Sequence, residues 1–435
     1  MTRNYRLRRI LAPTAGLIKA IGALVLGLFL LAVGCGLSFN RLILPAFQWA
    51  SHICSQAIGV FFPPQEIDLV KWFLGLPLMI VAAYLIVQSL RYALSHVVET
   101  LSPGLKSGKA DVYFRRQQLA QGPRIVVIGG GTGLSTLLRG VKHHTSNITA
   151  IVTVTDDGGS SGRLIKDKSM IPPGDIRNCL VALADAEKSM TDLFQHRFKD
   201  DSGSLSGHSM GNLLIAALVD QASGDFEKAI EIASDVLAIR GRVVPSTLAH
   251  VRLRAELENG MEICGETAIV NSGSRIKRIY LDPIDCEPTR EAIEAIRTAD
   301  LICIGPGSVF TSIIPNLIVP GLMDAIRQST AKKVYICNVM TQPGESDSFT
   351  ASEHVTAILN NVQGRVFDIV LVNNGVPTGE ALQRYRDSGQ HRVDPDVDRI
   401  RAMGLRVIQG NFMSETDVVR HDPMKVAARV VALVR

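Results

Sequence analysis

Arg124-Ile125-Val126-Val127-Ile128-Gly129-Gly130-Gly131-Thr132-Gly133-Leu134 is the stretch on which the fold class turns. From Ile125 to Ile128 every residue is apolar and β-branched, with no alternation. A strand of that kind has both faces buried, the habit of a parallel sheet covered by helices on either side. It runs straight into glycines, and a helical pattern begins near Leu134. Glycines at such a junction let the backbone approach a phosphate, while the helix N-terminus offers amide donors and the positive end of its dipole. Gly129, Gly130, Gly131, Thr132 and Gly133 are therefore expected to cradle a nucleotide; a tight turn that holds no ligand is the plainer alternative. The dinucleotide fingerprint is not met, because the third glycine of G-x-G-x-x-G falls on Leu134, and a P-loop is excluded by the missing Lys.

Outward from this stretch the same kind of strand recurs at Ile148 to Val154, Leu301 to Ile304, Lys333 to Val339 and Asp368 to Asn373, with helical patterns between most of them. The class is α/β, with a doubly wound, mainly parallel sheet. One insertion breaks the alternation. Val251 to Glu258 and Met261 to Thr267 alternate polar with apolar around Asn259-Gly260, a β-hairpin signal because that pair accepts positive φ at both turn positions.

Four further segments carry chemistry. After the second strand comes Thr155-Asp156-Asp157-Gly158-Gly159-Ser160-Ser161-Gly162-Arg163. Its two acids stand at the carboxyl end of a parallel strand, where they can hold a divalent cation or a ribose hydroxyl, with a solvated turn as the alternative. In Pro172-Pro173-Gly174-Asp175-Ile176-Arg177-Asn178, Asp175 is placed to cap a helix, and Arg177 to clamp a phosphate or form a surface salt bridge. Gly207-His208-Ser209-Met210-Gly211 matches the G-x-S-x-G nucleophile elbow of hydrolases, but the polar run Lys199 to Ser204 stands where that elbow requires a strand. A serine hydrolase is thus a remote alternative, and Ser209 and Asn212 read better as a helix N-terminus aimed at a ligand. Gly305-Pro306-Gly307-Ser308 follows a strand and opens a helix, which makes Gly305, Gly307 and Ser308 a second phosphate cradle.

The first quarter of the chain is of another kind. The 435 residues are 46% hydrophobic and only 20% charged, with mean hydropathy +0.20, too apolar for an ordinary soluble enzyme. Ala20 to Asn40 and Trp72 to Leu90 carry no charge over 21 and 19 residues, and each is long enough to span a bilayer. Leu42 to Gln65 has the pattern of a helix lying in the interface. Arg3, Arg6, Arg8 and Arg9 precede the first span, and Arg91, Lys106, Lys109, Arg115 and Arg116 follow the second. Both flanks are expected to face the cytoplasm, giving a two-span protein of the cytoplasmic membrane with its large domain inside. A signal peptide ending near Cys35 is the competing reading of the first span. Residues 1–122 are thus an anchor, with a juxtamembrane linker from Leu101 whose basic residues rest on lipid headgroups or in solvent, and 123–435 a nucleotide-binding domain. Through Pro123 there are 12 basic and 4 acidic residues, leaving 34 basic against 37 acidic beyond, which argues against nucleic acid as a partner. The seven cysteines contain no C-x-x-C pair, so free thiols are expected.

Taken together these segments resemble the CofD/YvcK superfamily, and more closely its YvcK branch, the gluconeogenesis factors. The resemblance rests on Val127 to Leu134, Thr155 to Gly162, Pro173 to Arg177, Gly207 to Asn212, Gly305 to Ser308 with Ser312-Ile313-Ile314-Pro315-Asn316, and Arg420-His421-Asp422. It covers almost all of the chain beyond Pro123. It implies a Rossmann-like core that binds UDP-sugars such as UDP-N-acetylglucosamine, closed by Arg420, and a role linking carbon metabolism to wall synthesis and cell shape. Enzymes of those pathways are the implied protein partners, and self-association is left open. The CofD branch implies instead a 2-phospho-L-lactate transferase acting on a deazaflavin, with Mg2+ held by Asp156 of the acidic loop. Because no separate nucleophile or acid/base pair stands out, a binding and regulatory protein that requires no cofactor is the preferred expectation. Transferase chemistry with Mg2+ is the alternative.

Overall fold

The computed structural model describes residues 22–34, 52–53, 55–61, 63–64, 66–101, 117–185, 188–199, 205–415 and 419–434. The chain divides into two compact units, Met1–Arg116 and Gln117–Arg435. The boundary falls a few residues before the expected one because 117–122 are tied to the large unit. Leu119 is buried, Asn147 Nδ2 donates to the carbonyls of Ala120 and Gly122, and Thr145 Oγ1 donates to that of Pro123.

In the first unit one helix, Ile67–Leu101, contains a stretch long and apolar enough to cross a membrane, Ile67–Tyr92, with mean hydropathy 2.1. It includes the whole of the expected second span. Of the expected first span the structure describes the helix Gly22–Gly34, which at about 1.5 Å per residue reaches roughly 20 Å, short of a hydrocarbon core. Two spans are therefore not both seen among the described residues. Within this unit the two helices approach closely at glycines: a Cβ on Gly27 would lie 3.0 Å from Ile86 Cγ1, and one on Gly34 2.6 Å from Met79 Cγ. The basic residues expected before the first span, most of the interfacial segment Leu42 to Gln65, and the linker with Lys106, Lys109, Arg115 and Arg116 lie outside the described residues.

The second unit is built on a seven-stranded parallel sheet of order β10-β9-β8-β7-β1-β2-β3. Its strands are β1 (Ile125–Gly129), β2 (Ile148–Val152), β3 (Arg242–Pro245), β7 (Leu301–Ile304), β8 (Lys332–Ile336), β9 (Ile369–Asn373) and β10 (Arg406–Gly410). Both faces of β1 are buried, as its unbroken apolar run requires. Ile125 and Val127 join the cluster of Leu134, Leu138, Ile176, Leu180 and Ile215; Val126 and Ile128 join the opposite cluster of Leu253, Ile279, Phe310 and Ile314. The chain winds outward from β1 through β2 to β3, then returns to β7 on the other side of β1 and winds outward again to β10. Strand order thus reverses between β1 and β7, and in open α/β sheets ligands bind at such a point, outside the carboxyl ends of the strands.

The insertion is a three-stranded antiparallel sheet, β5-β4-β6, with β4 (Arg252–Leu257), β5 (Glu262–Cys264) and β6 (Ile276–Asp282). The expected hairpin turns at Asn259-Gly260, where Gly260 has φ +81° and Asn259 Oδ1 accepts from the Met261 amide at 3.0 Å. Its second strand ends sooner than expected. Gly265, at φ +101°, turns the chain into the helix Glu266–Asn271, which is fastened to Asp157 through Thr267. A short antiparallel pair, β11 (Met413–Glu415) and β12 (Val419–His421), completes the unit.

The cysteines of the described residues are free: Cys264 is exposed, and Cys179, Cys286, Cys303 and Cys337 are buried. In the folded protein N-ethylmaleimide is expected to modify Cys264 alone among these five, the others reacting only after denaturation. Mass mapping that finds a buried one modified in the native protein would contradict this burial.

Candidate nucleotide site at the strand-order reversal

A cavity of about 630 Å³ opens at the carboxyl ends of β1, β7 and β8. Of the residues expected from the sequence, Gly130, Gly131, Thr132, Gly133, Gly307, Ser308 and Arg420 line it. Gly129 and Gly305 do not; they close the strand ends beneath it. Gly305 donates its amide to Ile128 O at 2.8 Å with φ +76°, and the carbonyl of Gly129 is held by Asn316 Nδ2 at 3.0 Å.

The first glycine loop requires its glycines for contact. A Cβ on Gly130 would stand 2.5 Å from Asp175 Oδ2 and 2.7 Å from Thr153 Cγ2, and Gly131 has φ +63°. The helix Gly131–Val141 starts from Gly130 without a side-chain cap. Asp175 accepts the amide of Gly131, and the following first-turn amides stand at the cavity wall, where an anion can bind.

The second loop differs from the phosphate cradle expected of it. The Glu345 carboxylate, 8% exposed, lies where a phosphate would. It accepts from Ser308 Oγ through both oxygens and from Thr311 Oγ1 at 3.1 Å, and from the backbone amides of Phe310 and Thr311. The anion hole at the start of the helix Val309–Leu317 is thus occupied by the protein's own carboxylate. Gly307 is fixed as well, donating its amide to Asn338 Oδ1 at 3.1 Å and accepting from Asn338 Nδ2 at 2.9 Å. Ser308 lines the cavity but spends its hydroxyl proton on Glu345.

The remaining expected residues do not line this cavity. Arg177, expected as a phosphate clamp or a surface ion pair, is buried at 7% exposure. It donates to Ser209 Oγ, to Asn212 Oδ1 at 3.0 Å and to Asn178 Oδ1 at 2.7 Å. Asn212 Nδ2 reaches Ser160 Oγ at 3.1 Å, and His208 Nδ1 lies 3.0 Å from the same hydroxyl. One buried network therefore knits together three of the segments that looked like separate ligand loops. Ser161 is buried beneath Gly174, where an added Cβ would lie 2.6 Å from its Oγ.

Ser209 is fully buried and caps the helix Met210–Gln221, accepting the amide of Asn212 at 3.2 Å. A nucleophile needs an exposed hydroxyl and an adjacent base. Here the neighbouring His208 is bonded to Ser160 instead, so the hydrolase alternative has no site. Ser209→Ala is expected to lower stability by about 1–2 kcal/mol, through loss of the cap and of an Arg177 partner, without touching ligand affinity. Denaturant titration and ligand calorimetry on the same preparation check both halves.

Asp156 and Asp157 face different ways. Asp157 is exposed and accepts from the amide of Thr267 at 2.9 Å and from its hydroxyl at 2.7 Å. Asp156 Oδ1 accepts from the Gly158 amide at 2.9 Å, while a Cβ on Gly174 would meet its Oδ2 at 2.6 Å. With Asp175 and Glu266 it forms an acidic wall. Burial and the nearby Asp156 push Asp175 up to about 6. Burial, then Asp156, Asp175 and further carboxylates, pushes Glu266 up to about 9. Among the described residues no group of three His, Cys, Asp or Glu is placed to hold a metal ion. The wall on its own therefore does not fit a protein-held Mg2+; oxygens from a bound ligand would have to complete the shell.

Sequence reasoning missed Glu266, Asn338, Glu345, Tyr385 and the segment Val339–Gln342, all of which line the cavity. A signal existed for Asn338, just past the carboxyl end of β8, since the rule applied to β1, β2 and β7 applies there too. Glu345, in Gln342-Pro343-Gly344-Glu345, carried none. His421 also faces the cavity; its Nε2 lies 3.0 Å from Cys337 O, and burial pushes it down to about 4, so the ring is neutral at pH 7.

Comparison with known proteins rests on the large unit. A family profile described as 2-phospho-L-lactate transferase CofD matches residues 125–413. The chain belongs to the CofD family. Among its relatives, the gluconeogenesis factor of Bacillus subtilis is 49% identical over 318 residues, 73% of this chain and 100% of that protein. That of Halalkalibacterium halodurans is 49% identical over 309 residues, 71% of this chain and 95% of the relative. A crystal structure of a upf0052 family member from Bacillus halodurans superposes with a TM-score of 0.69 at 47% identity, over 71% of this chain and 99% of the other. The CofD profile begins at the first residue of β1 and ends at the first of β11, so it takes in the cavity loops from Gly129 to Glu345 but not Arg420.

Proposed function

We propose that this CofD-family chain binds a UDP-sugar of the UDP-N-acetylglucosamine type in the cavity between β1 and β7. In this reading it is a gluconeogenesis factor that reports carbon status to wall synthesis and cell shape, through enzymes of those pathways. The observation that carries the reading is the pairing, across one cavity, of Arg420 with the start of the helix Gly131–Val141, whose first-turn amides after Gly131 stand at the cavity wall. The Arg420 guanidinium has no hydrogen bond or ion pair among the described residues. A helix N-terminus and an unpaired Arg together suit a diphosphate. No cofactor is required, and the cytoplasmic membrane anchor is read as two spans. A reporter fused after Arg435 that is active only outside the cytoplasm would refute that side assignment.

Calorimetry on the full chain in detergent, against a panel of nucleotide sugars and nucleoside diphosphates, tests the ligand. Saturable binding of a UDP-sugar, tighter than UDP alone, is expected. Binding of no UDP-sugar would overturn the reading.

One observation favours a second reading. The acidic wall of Asp156, Asp175 and Glu266 stands beside the first glycine loop, and together with oxygens of a bound donor it would hold a Mg2+ that neutralises the donor's charge in a transferase. Magnesium-dependent consumption of an activated phospholactyl donor by the wild type, lost in Asp156→Asn, would establish the transferase instead.

A further inference from the structure

A second cavity of about 640 Å³ lies on the other side of the acidic loop and shares no lining residue with the first. Its walls come from the loop after β2, the helix Gly159–Lys168 and the start of the insertion. Val154, Met170 and Leu253 form an apolar floor, each 5% exposed or less. Lys166, His250 and Arg252 stand exposed around it.

Charge sets the cavity apart from its surroundings. The unit pairs cations readily: two residues along the same helix Lys168 meets Asp220 at 2.6 Å, and two residues along β4 Arg254 meets Asp282 at 3.7 Å. The side chains of Lys166, Arg252 and His250 have no hydrogen bond or ion pair among the described residues. The lining acid, Asp157, already accepts two bonds from Thr267. Two cations and a histidine, against one carboxylate, therefore line a volume within the roughly 300–1,000 Å³ range of small-molecule sites.

We propose that this cavity is a second small-molecule site, for an amphipathic acid whose apolar body covers the Val154, Met170 and Leu253 floor while its anionic group meets Lys166 and Arg252. An apolar body alone would leave the cations without a partner, and a bare inorganic anion would leave the floor wet. The shared chemistry is an anion on an apolar frame, carboxylate or phosphate. The site is independent of the UDP-sugar reading, since it uses none of the first cavity's residues.

Cys264 lines the cavity and is exposed, so its alkylation rate, followed by mass spectrometry on the full chain in detergent, reports occupancy locally. The probes are benzoate and phenyl phosphate, with uncharged benzamide as the control. Saturable protection of Cys264 by benzoate, by phenyl phosphate or by both is expected, and which one protects identifies the anion. Lys166→Ala with Arg252→Ala should weaken protection by about ten- to a hundredfold and leave UDP-N-acetylglucosamine affinity unchanged. Absence of protection by both acids, equal protection by benzamide, or protection that survives in the double variant would overturn the proposal.

Discussion

Gly133→Ala is expected to weaken UDP-N-acetylglucosamine binding by about a hundredfold while the parallel sheet remains folded. A Cβ at this position would lie 2.5 Å from Pro306 O, 2.8 Å from Pro306 C and 2.9 Å from Gly307 N. All three are backbone atoms, so no side-chain rotation can relieve the contact. Gly307 cannot drift freely either, because Asn338 holds its amide and its carbonyl. The helix start must then move away from the second loop, carrying with it the first-turn amides that face the cavity. Overpacking of this kind typically costs about 1–3 kcal/mol. Helix propensity works the other way, since Ala is favoured over Gly by about 1 kcal/mol inside a helix. A loss of affinity would therefore be the signature of contact between the loops and not of a weakened helix. Gly379→Ala is the control: like Gly133 it is a glycine in the first turn of a helix, here Gly379–Asp387, but nothing lies within 4 Å of the added methyl. Calorimetry and thermal unfolding on both variants decide the matter, and an unchanged affinity in Gly133→Ala would mean that the approach of the two loops does not shape the site.

The strands legible in the sequence and those missed divide on burial. β1, β2, β7, β8 and β9, all recognised, are the five central strands of the sheet. Helices cover both their faces, so selection for apolar residues acts at nearly every position. β3 and β10 are the edges. Arg242 and Pro245 bound the one, and Arg406, Gln409 and Gly410 take up most of the other, which breaks the apolar run. In the insertion, Asn259-Gly260 between two alternating runs announced its hairpin, although only Gly260 of the pair takes a positive φ. β6 gave no such notice, because Ile276-Lys277-Arg278-Ile279 departs from strict alternation.

The site was legible where backbone geometry demands a residue type and illegible where a side chain's role depends on distant partners. The glycine loops are of the first kind. Arg177 is of the second: its partners Ser209 and Asn212 lie more than thirty positions away, and nothing local distinguishes a buried Arg that organises three segments from one that clamps a phosphate. Glu345 likewise acquires its meaning only when the turn that bears it folds back onto Ser308. Because it already fills the second anion hole, a diphosphate has fewer protein donors than the sequence suggested. More of its charge must then be met elsewhere.

That shifts weight onto Arg420, and Arg420→Glu is expected to weaken UDP-N-acetylglucosamine binding by well over a hundredfold. Arg420 is the middle residue of β12, exposed on the cavity side of the short β11–β12 pair. A planar guanidinium can bond two phosphate oxygens while neutralising their charge, and at an exposed position the net gain is about that of one charge-assisted bond, roughly 1.5–3 kcal/mol. Removing the fork, as in Arg420→Ala, should therefore cost about ten- to a hundredfold in affinity. Reversal adds repulsion between Glu and the diphosphate, in place of the attraction that Arg420 supplies. Stability should scarcely change in either variant, because among the described residues no ion pair is broken and exposed pairs are worth about 1 kcal/mol or less in any case. Arg420→Lys separates charge from geometry: a point charge keeps part of the attraction and loses the bidentate bonds, so its affinity should fall between those of wild type and Ala. If Arg420→Glu binds the UDP-sugar as tightly as wild type while unfolding at the same denaturant concentration, the β12 edge is not part of the site, and the amides of the first glycine loop must hold the diphosphate without it.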